Sequence, residues 1–251
     1  MPSNSEISDL LTERLHLSQP PIAVCLADSV PAGVELWTGH APAGCRFWQE
    51  AASRVFATSP GDHRLCAIGQ YTHNLSMDPA SGADLKDALK VFADLGYVRP
   101  QDLPLIPVLE SNPRHVIYGP LSRIPLDPDV VLLFVDAGQT LILSEASQQI
   151  ENGLPPAMGR PACAVIPQAR NTSRSALSLG CCGARAYLDV LRDDVALYAI
   201  PGPNLAAFAE RVAALANANE ILSKFHQIRR RAVEGGASPT VQESLVALQS
   251  A

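Results

Sequence analysis

Asp129-Val130-Val131-Leu132-Leu133-Phe134-Val135-Asp136 is an unbroken apolar run between two aspartates. Such a run, rich in Val and Leu and free of polar alternation, is the pattern of a strand buried on both faces. Working outward, Pro21 to Ala27 is a second run of this kind, bounded by prolines and by Asp28. His115-Val116-Ile117-Tyr118 and Val195 to Ile200 also read as strands, and so does Ala162-Cys163-Ala164-Val165-Ile166-Pro167, closed by its proline. Helical spacing appears between them. Ile7, Leu10, Leu11, Leu15 and Leu17 follow Ser5, a candidate cap; Cys45 to Phe56, about Gly82 to Gly96, Gln139 to Ile150 and Tyr187 to Leu191 follow in turn. A long closing helix, capped by Asn204, runs from Leu205 to about Val233. Strands alternating with helices predict an α/β fold. The expectation is a single domain over residues 1–240, with a mixed sheet packed by helices and a long C-terminal helix, and a frayed tail over residues 241–251. No internal repeat is visible in the residues.

With 251 residues, 47% of them apolar, the chain can bury a full core. A formal charge of −6 and a pI near 5.5 argue against a nucleic-acid partner, because neutralising phosphates needs a basic face. The one basic run, Arg229-Arg230-Arg231, reads as a complement to the negative end of its own helix. Met1 to Asp9 lacks the order of a secretion signal, and no apolar stretch approaches the roughly 20 residues that cross a bilayer. No membrane association is expected. Six cysteines without such a signal point to the reducing cytoplasm, where thiols serve metals, catalysis or packing. A small-molecule ligand is the expected partner, and a homo-oligomer is compatible with the composition.

The cysteines carry the most chemistry. Cys45 lies in Ala43-Gly44-Cys45-Arg46-Phe47-Trp48, and Cys181 and Cys182 lie in Gly180-Cys181-Cys182-Gly183. Glycine-flanked turns let the backbone approach an inorganic group and offer N–H donors to sulfur. Cys45 and Cys181 also stand where a helix N-terminus would lower a thiol pKa. Cys66 and Cys163 sit in apolar runs closed by Gly69 and Pro167, where packing is an equal reading, and Cys25, inside a strand, reads as packing. No Cys-x-x-Cys pair occurs, so any shared centre must be assembled by the tertiary fold. Dispersed thiolates favour a [4Fe–4S] cluster on Cys45, Cys66, Cys163 and Cys181, with Cys182 as the substitute for Cys181. Zinc and haem are the other cofactors such residues could hold.

Gly44-Cys45-Arg46-Phe47-Trp48, Leu65-Cys66-Ala67-Ile68-Gly69, Tyr118-Gly119-Pro120-Leu121, Pro128-Asp129-Val130-Val131, Ala162 to Pro167 and Ser178 to Arg185 resemble, in that order, segments of the family called domain of unknown function 169. The resemblance runs from about Leu15 to Asn219. It implies that Cys45, Cys66, Cys163 and Cys181 fall inside family-like segments and that Cys25 falls outside the most distinctive ones. It carries no assignment of catalytic residues.

His73 follows the Cys66 segment and is a candidate ligand or proton donor, although a loop histidine is more often at the surface. His40 and His63 read as loop residues with solvated neighbours. Arg46, Arg160 and Arg185 each lie near a candidate cysteine and could hold a substrate carboxylate or offset thiolate charge; Arg46, His73 and Arg185 are the candidate catalytic set. P-loop, dinucleotide and Gly-x-Ser-x-Gly signatures are missing. Three functions follow. The first is an iron–sulfur-dependent oxidoreductase or lyase acting on a small molecule. The second is a metal-free enzyme with Cys45 or Cys181 as nucleophile, and the third a non-catalytic small-molecule or cofactor binding protein.

Overall fold

A computed structural model describes residues 2–250. In chain order the elements begin with α1 (Asn4–Leu15), β1 (Ile22–Ala27), β2 (Glu35–Leu36), α2 (Arg46–Glu50), β3 (Phe56–Thr58), α3 (Ala67–Thr72), α4 (Pro79–Asp94) and β4 (His115–Pro120). They continue with β5 (Val130–Val135), α5 (Ala137–Ile150), β6 (Ala157–Met158), α6 (Val165–Thr172), β7 (Ala176–Ser178), α7 (Cys182–Tyr187), β8 (Ala196–Pro201), α8 (Leu205–Glu234) and α9 (Val241–Gln249). All eight strands form one mixed sheet in the order β2-β3-β4-β1-β5-β8-β7-β6. The α/β class, the mixed sheet and the long C-terminal helix are as expected. Every residue of β5 is buried, as its unbroken apolar run requires.

The sheet is an internal repeat that the residues do not show. Outward from the central antiparallel pair β1·β5, each half runs antiparallel, antiparallel, then parallel: β1-β4-β3-β2 on one side, β5-β8-β7-β6 on the other. The register repeats as well. Ala23 faces Val131 at the centre, Ile22 pairs with Pro120 as Val130 pairs with Pro201, and Phe56 pairs with Tyr118 as Ala176 pairs with Ala199. Even the link past the short parallel pair recurs, with Trp37 N–H donating to Ala57 O and Gly159 N–H to Leu177 O, both at 2.8 Å. Two insertions hide the duplication: α5 has no counterpart between β1 and β2, and α4 with its following turn has none between β7 and β8.

Side chains alternate across the sheet, so each strand feeds two cores. On one face Ala23, Cys25, Val131, Leu133 and Tyr198 pack under α1, α5 and α8 through Leu11, Leu143 and Phe208. On the other, Ile22, Val24, Tyr118, Leu132 and Leu197 pack with Phe47, Trp48, Val165 and Ile166. Cys25 thus belongs to the first face, and Cys45, Cys66, Cys163 and Cys181 to the second.

Several local expectations are corrected. Ser3, not Ser5, caps α1, in a box with Glu6. Residues 162–167 are not a strand: a 3-10 turn over Ala162–Ala164 leads into α6, whose Val165, Ile166, Pro167 and Ala169 are buried. A short apolar run fits a buried helix as well as a strand, and a proline in the first helical turn forfeits no intrahelical bond. The helix expected over Cys45 to Phe56 stops at Glu50, and Phe56 opens β3. Helix α7 precedes the predicted Tyr187–Leu191 segment. Asn204 occupies the cap of α8 but donates its side chain to Ser173 O. Residues 241–249, expected to fray, form α9, closed by a Thr240/Glu243 capping box. No helix among the described residues is long and apolar enough to cross a membrane.

Candidate functional site

The repeat places the cysteines in corresponding turns. Cys45 and Cys163 each follow the short parallel strand (β2, β6) and lie in a 3-10 turn: Arg46 N–H donates to Ala43 O, and Ala164 N–H to Pro161 O. Cys66 and Cys181 each follow the next strand (β3, β7) and cap a helix, α3 and α7, whose first bonds run from Gln70 N–H to Cys66 O and from Arg185 N–H to Cys181 O. Each half therefore contributes one cysteine before its crossover helix and one after its third strand. All four line a single cavity of about 720 Å³, together with Cys182 and His73. All six cysteines are free thiols.

Glycines bring the backbone against the sulfurs. A Cβ on Gly69 would stand 2.9 Å from Cys66 Sγ, and one on Gly44 would stand 3.9 Å from it. The backbone of both residues favours the charged form of that sulfur, and Ala184 N–H donates to Cys181 Sγ at 3.5 Å. Gly69→Ala therefore pushes on the Cys66 sulfur itself. We expect this variant to lose any ligand held by Cys66 while its unfolding free energy falls by no more than about 1–3 kcal/mol, the ordinary cost of an overpacked methyl. Bound-metal analysis beside a urea melt checks it; full metal retention contradicts the placement.

Burial sets the protonation of the thiols. It pushes Cys45 up to about 12, and the nearby Cys66 and Cys181 sulfurs add to the rise. Cys66 is also raised by burial, against the pull of the Gly44 and Gly69 amides. Cys163 is raised well above its ordinary value by burial and then by Cys66, against a hydrogen bond from Thr72. The lowered Cys45 pKa expected from its helix N-terminus is thus overturned: α2 is five residues long, and loss of water outweighs its dipole. Cys25 is held at about 12, by burial first and then by Asp129, as a packing cysteine should be.

Behind the cysteines lies a buried polar group of which sequence reasoning singles out His73 alone. His63 is 1% exposed and His73 2% exposed, with ring centroids 5.9 Å apart, and the Tyr118 ring lies tilted beside His63 with centroids 6.4 Å apart. The Thr58 hydroxyl donates to Val116 O at 3.0 Å, so its oxygen accepts from His63 Nε2 at 2.9 Å and the His63 lone pair is on Nδ1. His63 Nδ1, His73 Nε2 and the Tyr118 hydroxyl are buried without a partner among the described residues. Two histidines flanking Cys66 in one short segment were the available signal; the solvated look of the His63 loop concealed it.

Burial depresses both histidines, His73 to about 4 against the pull of the Gly69 carbonyl, and His63 well below 6.5, where the His73 ring adds to the fall. The unfolded chain takes up these protons as pH falls below 6.5, and the native chain does not. Stability is therefore intact above pH 6.5 and lost progressively down to about pH 4, by about 3 kcal/mol from His73 alone. Urea midpoints between pH 7.5 and 4.5 measure this, and a midpoint that does not fall contradicts the burial of neutral rings.

The arginines fare differently. Arg185 donates to the carbonyls of Leu191 (3.2 Å) and Arg192 (2.6 Å) and to Leu179 O, tying down the loop after α7. Arg46 donates to Gln49 Oε1 and Tyr187 O and lines a separate recess with Trp37 and His40. Neither is among the described residues lining the cysteine cavity; Arg160 is, with its guanidinium 4.5 Å over the Tyr97 ring. Among the described residues no group of three or more His, Cys, Asp or Glu is placed to hold a metal ion. The four sulfurs thus line a common space without converging on one point.

No curated protein and no solved structure matches the chain. A family model, described as an uncharacterised ArCR family, matches residues 10–211 and so covers both halves of the repeat. The chain belongs to this family, domain of unknown function 169.

Proposed function

We propose that the protein holds a [4Fe–4S] cluster on Cys45, Cys66, Cys163 and Cys181 and uses it on a small molecule bound in the same cavity, in the reducing setting of the cytoplasm. The observation that carries this reading is that two corresponding turns from each half of the repeat deliver four cysteines to one cavity. Packing alone gives no reason for cysteine at all four. The donor set suits soft metals. A single axial haem ligand would leave three of them unexplained. The raised thiol pKa values fit too, because neutral buried thiols become thiolates only when a cation replaces their protons. The rise at Cys45 weighs against that residue as a metal-free nucleophile, which needs a thiolate at neutral pH.

When bound, such a cluster supplies one-electron transfer while all four sulfurs stay on it, and an acidic iron if one of them yields. The chain would contribute the Gly44 and Gly69 backbone and the Ala184 amide, which ease the negative charge of the sulfurs. Anaerobic purification tests the reading. The expected sample is brown, holds iron and acid-labile sulfide in equal amounts, and loses visible absorption on reduction. A colourless protein that takes up neither element under anaerobic reconstitution overturns it.

A further inference from the structure

His73 lines the cavity with one ring edge already committed. Its Nδ1 lies 2.8 Å from Gly69 O, an oxygen that only accepts, so Nδ1 carries the proton and Nε2 holds the lone pair. Of the residues that carry a buried, unpartnered side-chain nitrogen or oxygen among the described residues, His73 is the one that lines the cavity, and its unpartnered atom is Nε2. An acceptor left bare in the interior bears its full desolvation penalty, so a ligand group that donates to it is favoured.

The remaining lining is mostly apolar. Leu89 and Phe92 of α4, with Leu103, Ile106 and Met158, contribute to it. Helix α4 has sixteen residues, of which only Ser81 is buried, so its apolar side is left half-covered where it meets the cavity. The charged side chains on the lining, Asp102 and Arg160, are engaged: Asp102 pairs with Arg99, and Arg160 donates to Tyr97 O and covers the Tyr97 ring. A volume of about 720 Å³ suits a small organic molecule.

We propose that the cavity takes an uncharged small molecule with an apolar, ring-sized body and an O–H or N–H group, which it donates to His73 Nε2. This rests on reading the cavity as a small-molecule site, and is independent of what the cysteines hold. Two probes that differ only in the donor test it on the full chain by fluorescence titration: 2-naphthol and 2-methoxynaphthalene. The wild type should prefer the naphthol by about fivefold to tenfold, the worth of one hydrogen bond. His73→Phe should bind the ether as before and lose the preference, and Phe92→Ala should weaken both probes. Absence of binding by either probe overturns the apolar site; equal affinities in the wild type, or a preference that survives His73→Phe, overturn the role of His73. Should His73→Phe not fold, a crystal structure of the wild type with 2-naphthol decides, since a hydroxyl beyond hydrogen-bond distance of Nε2 refutes the assignment. Iron is assayed on the same samples, so the absence of a cluster is read apart from the absence of probe binding.

Discussion

Replacing Cys45, Cys66, Cys163 or Cys181 with serine, one at a time, is expected to remove nearly all iron and sulfide from protein purified without oxygen. Cys25→Ser and Cys182→Ser should retain them. Changes in the residues that merely support a metal ligand already cost about 10–100-fold in affinity, and removal of a ligand costs at least that. The contrast follows from position. Cys25 faces the opposite core, beneath α1, α5 and α8, where no other cysteine is found among the described residues. Cys182 is exposed and has no counterpart in the first half of the repeat, where Ala67 follows Cys66. Equal losses across the four are the sharpest expectation, because the repeat makes Cys45 correspond to Cys163 and Cys66 to Cys181. A panel in which Cys182 matters and Cys181 does not would move the second half's ligand by one residue; a panel in which none matters would remove the centre. Iron and sulfide assays, with circular dichroism to confirm folding, measure this.

Gly202→Ala carries the largest expected loss of stability. A Cβ at this position would lie 1.6 Å from Pro128 O and 2.8 Å from Pro128 C, a collision with backbone that no rotamer relieves. Gly202 N–H donates to Asp129 O at 2.8 Å, holding the start of α8 to the start of β5. The Asp129 carboxylate in turn accepts from Leu26 N–H and from Arg170, each at 2.7 Å. Separating the two backbones disturbs β1, β5 and β8 at once, the centre of the sheet. The expected cost exceeds about 4 kcal/mol, in the range reserved for broken cores. Gly82→Ala, within α4, is the control, because a Cβ there would meet nothing within 4 Å. Denaturation midpoints decide, and a Gly202→Ala protein within about 1 kcal/mol of wild type would contradict the close approach.

The central strands were legible because a run such as Val130–Val135 has no polar face to turn to solvent, so burial on both sides is the only outcome open to it. Ala162–Pro167 carried the same local signal and folded differently, since its run is short enough to be covered as a helical turn. The cysteine set could be picked from its glycine and proline contexts, which report where the backbone bends. The repeat could not be read. It resides in register and hydrogen bonding, while α5 and α4 interrupt the two halves at different points. His63 has no local mark in the sequence, because its hydrogen bond with Thr58 and its packing against the Phe47 and Tyr118 rings exist only in the folded chain. Arg46 and Arg185 lie close to a cysteine along the chain, but adjacent side chains leave a turn in different directions. Their guanidinium groups hold backbone carbonyls, an assignment that geometry alone could make.

The most direct measurement is a Mössbauer spectrum of protein enriched in iron-57 and kept from oxygen. Four sulfurs around one cubane predict a single diamagnetic quadrupole doublet, lost in each of the four serine variants. A signal from one isolated iron on sulfur ligands, or a wild-type sample with no bound iron, would contradict the shared centre.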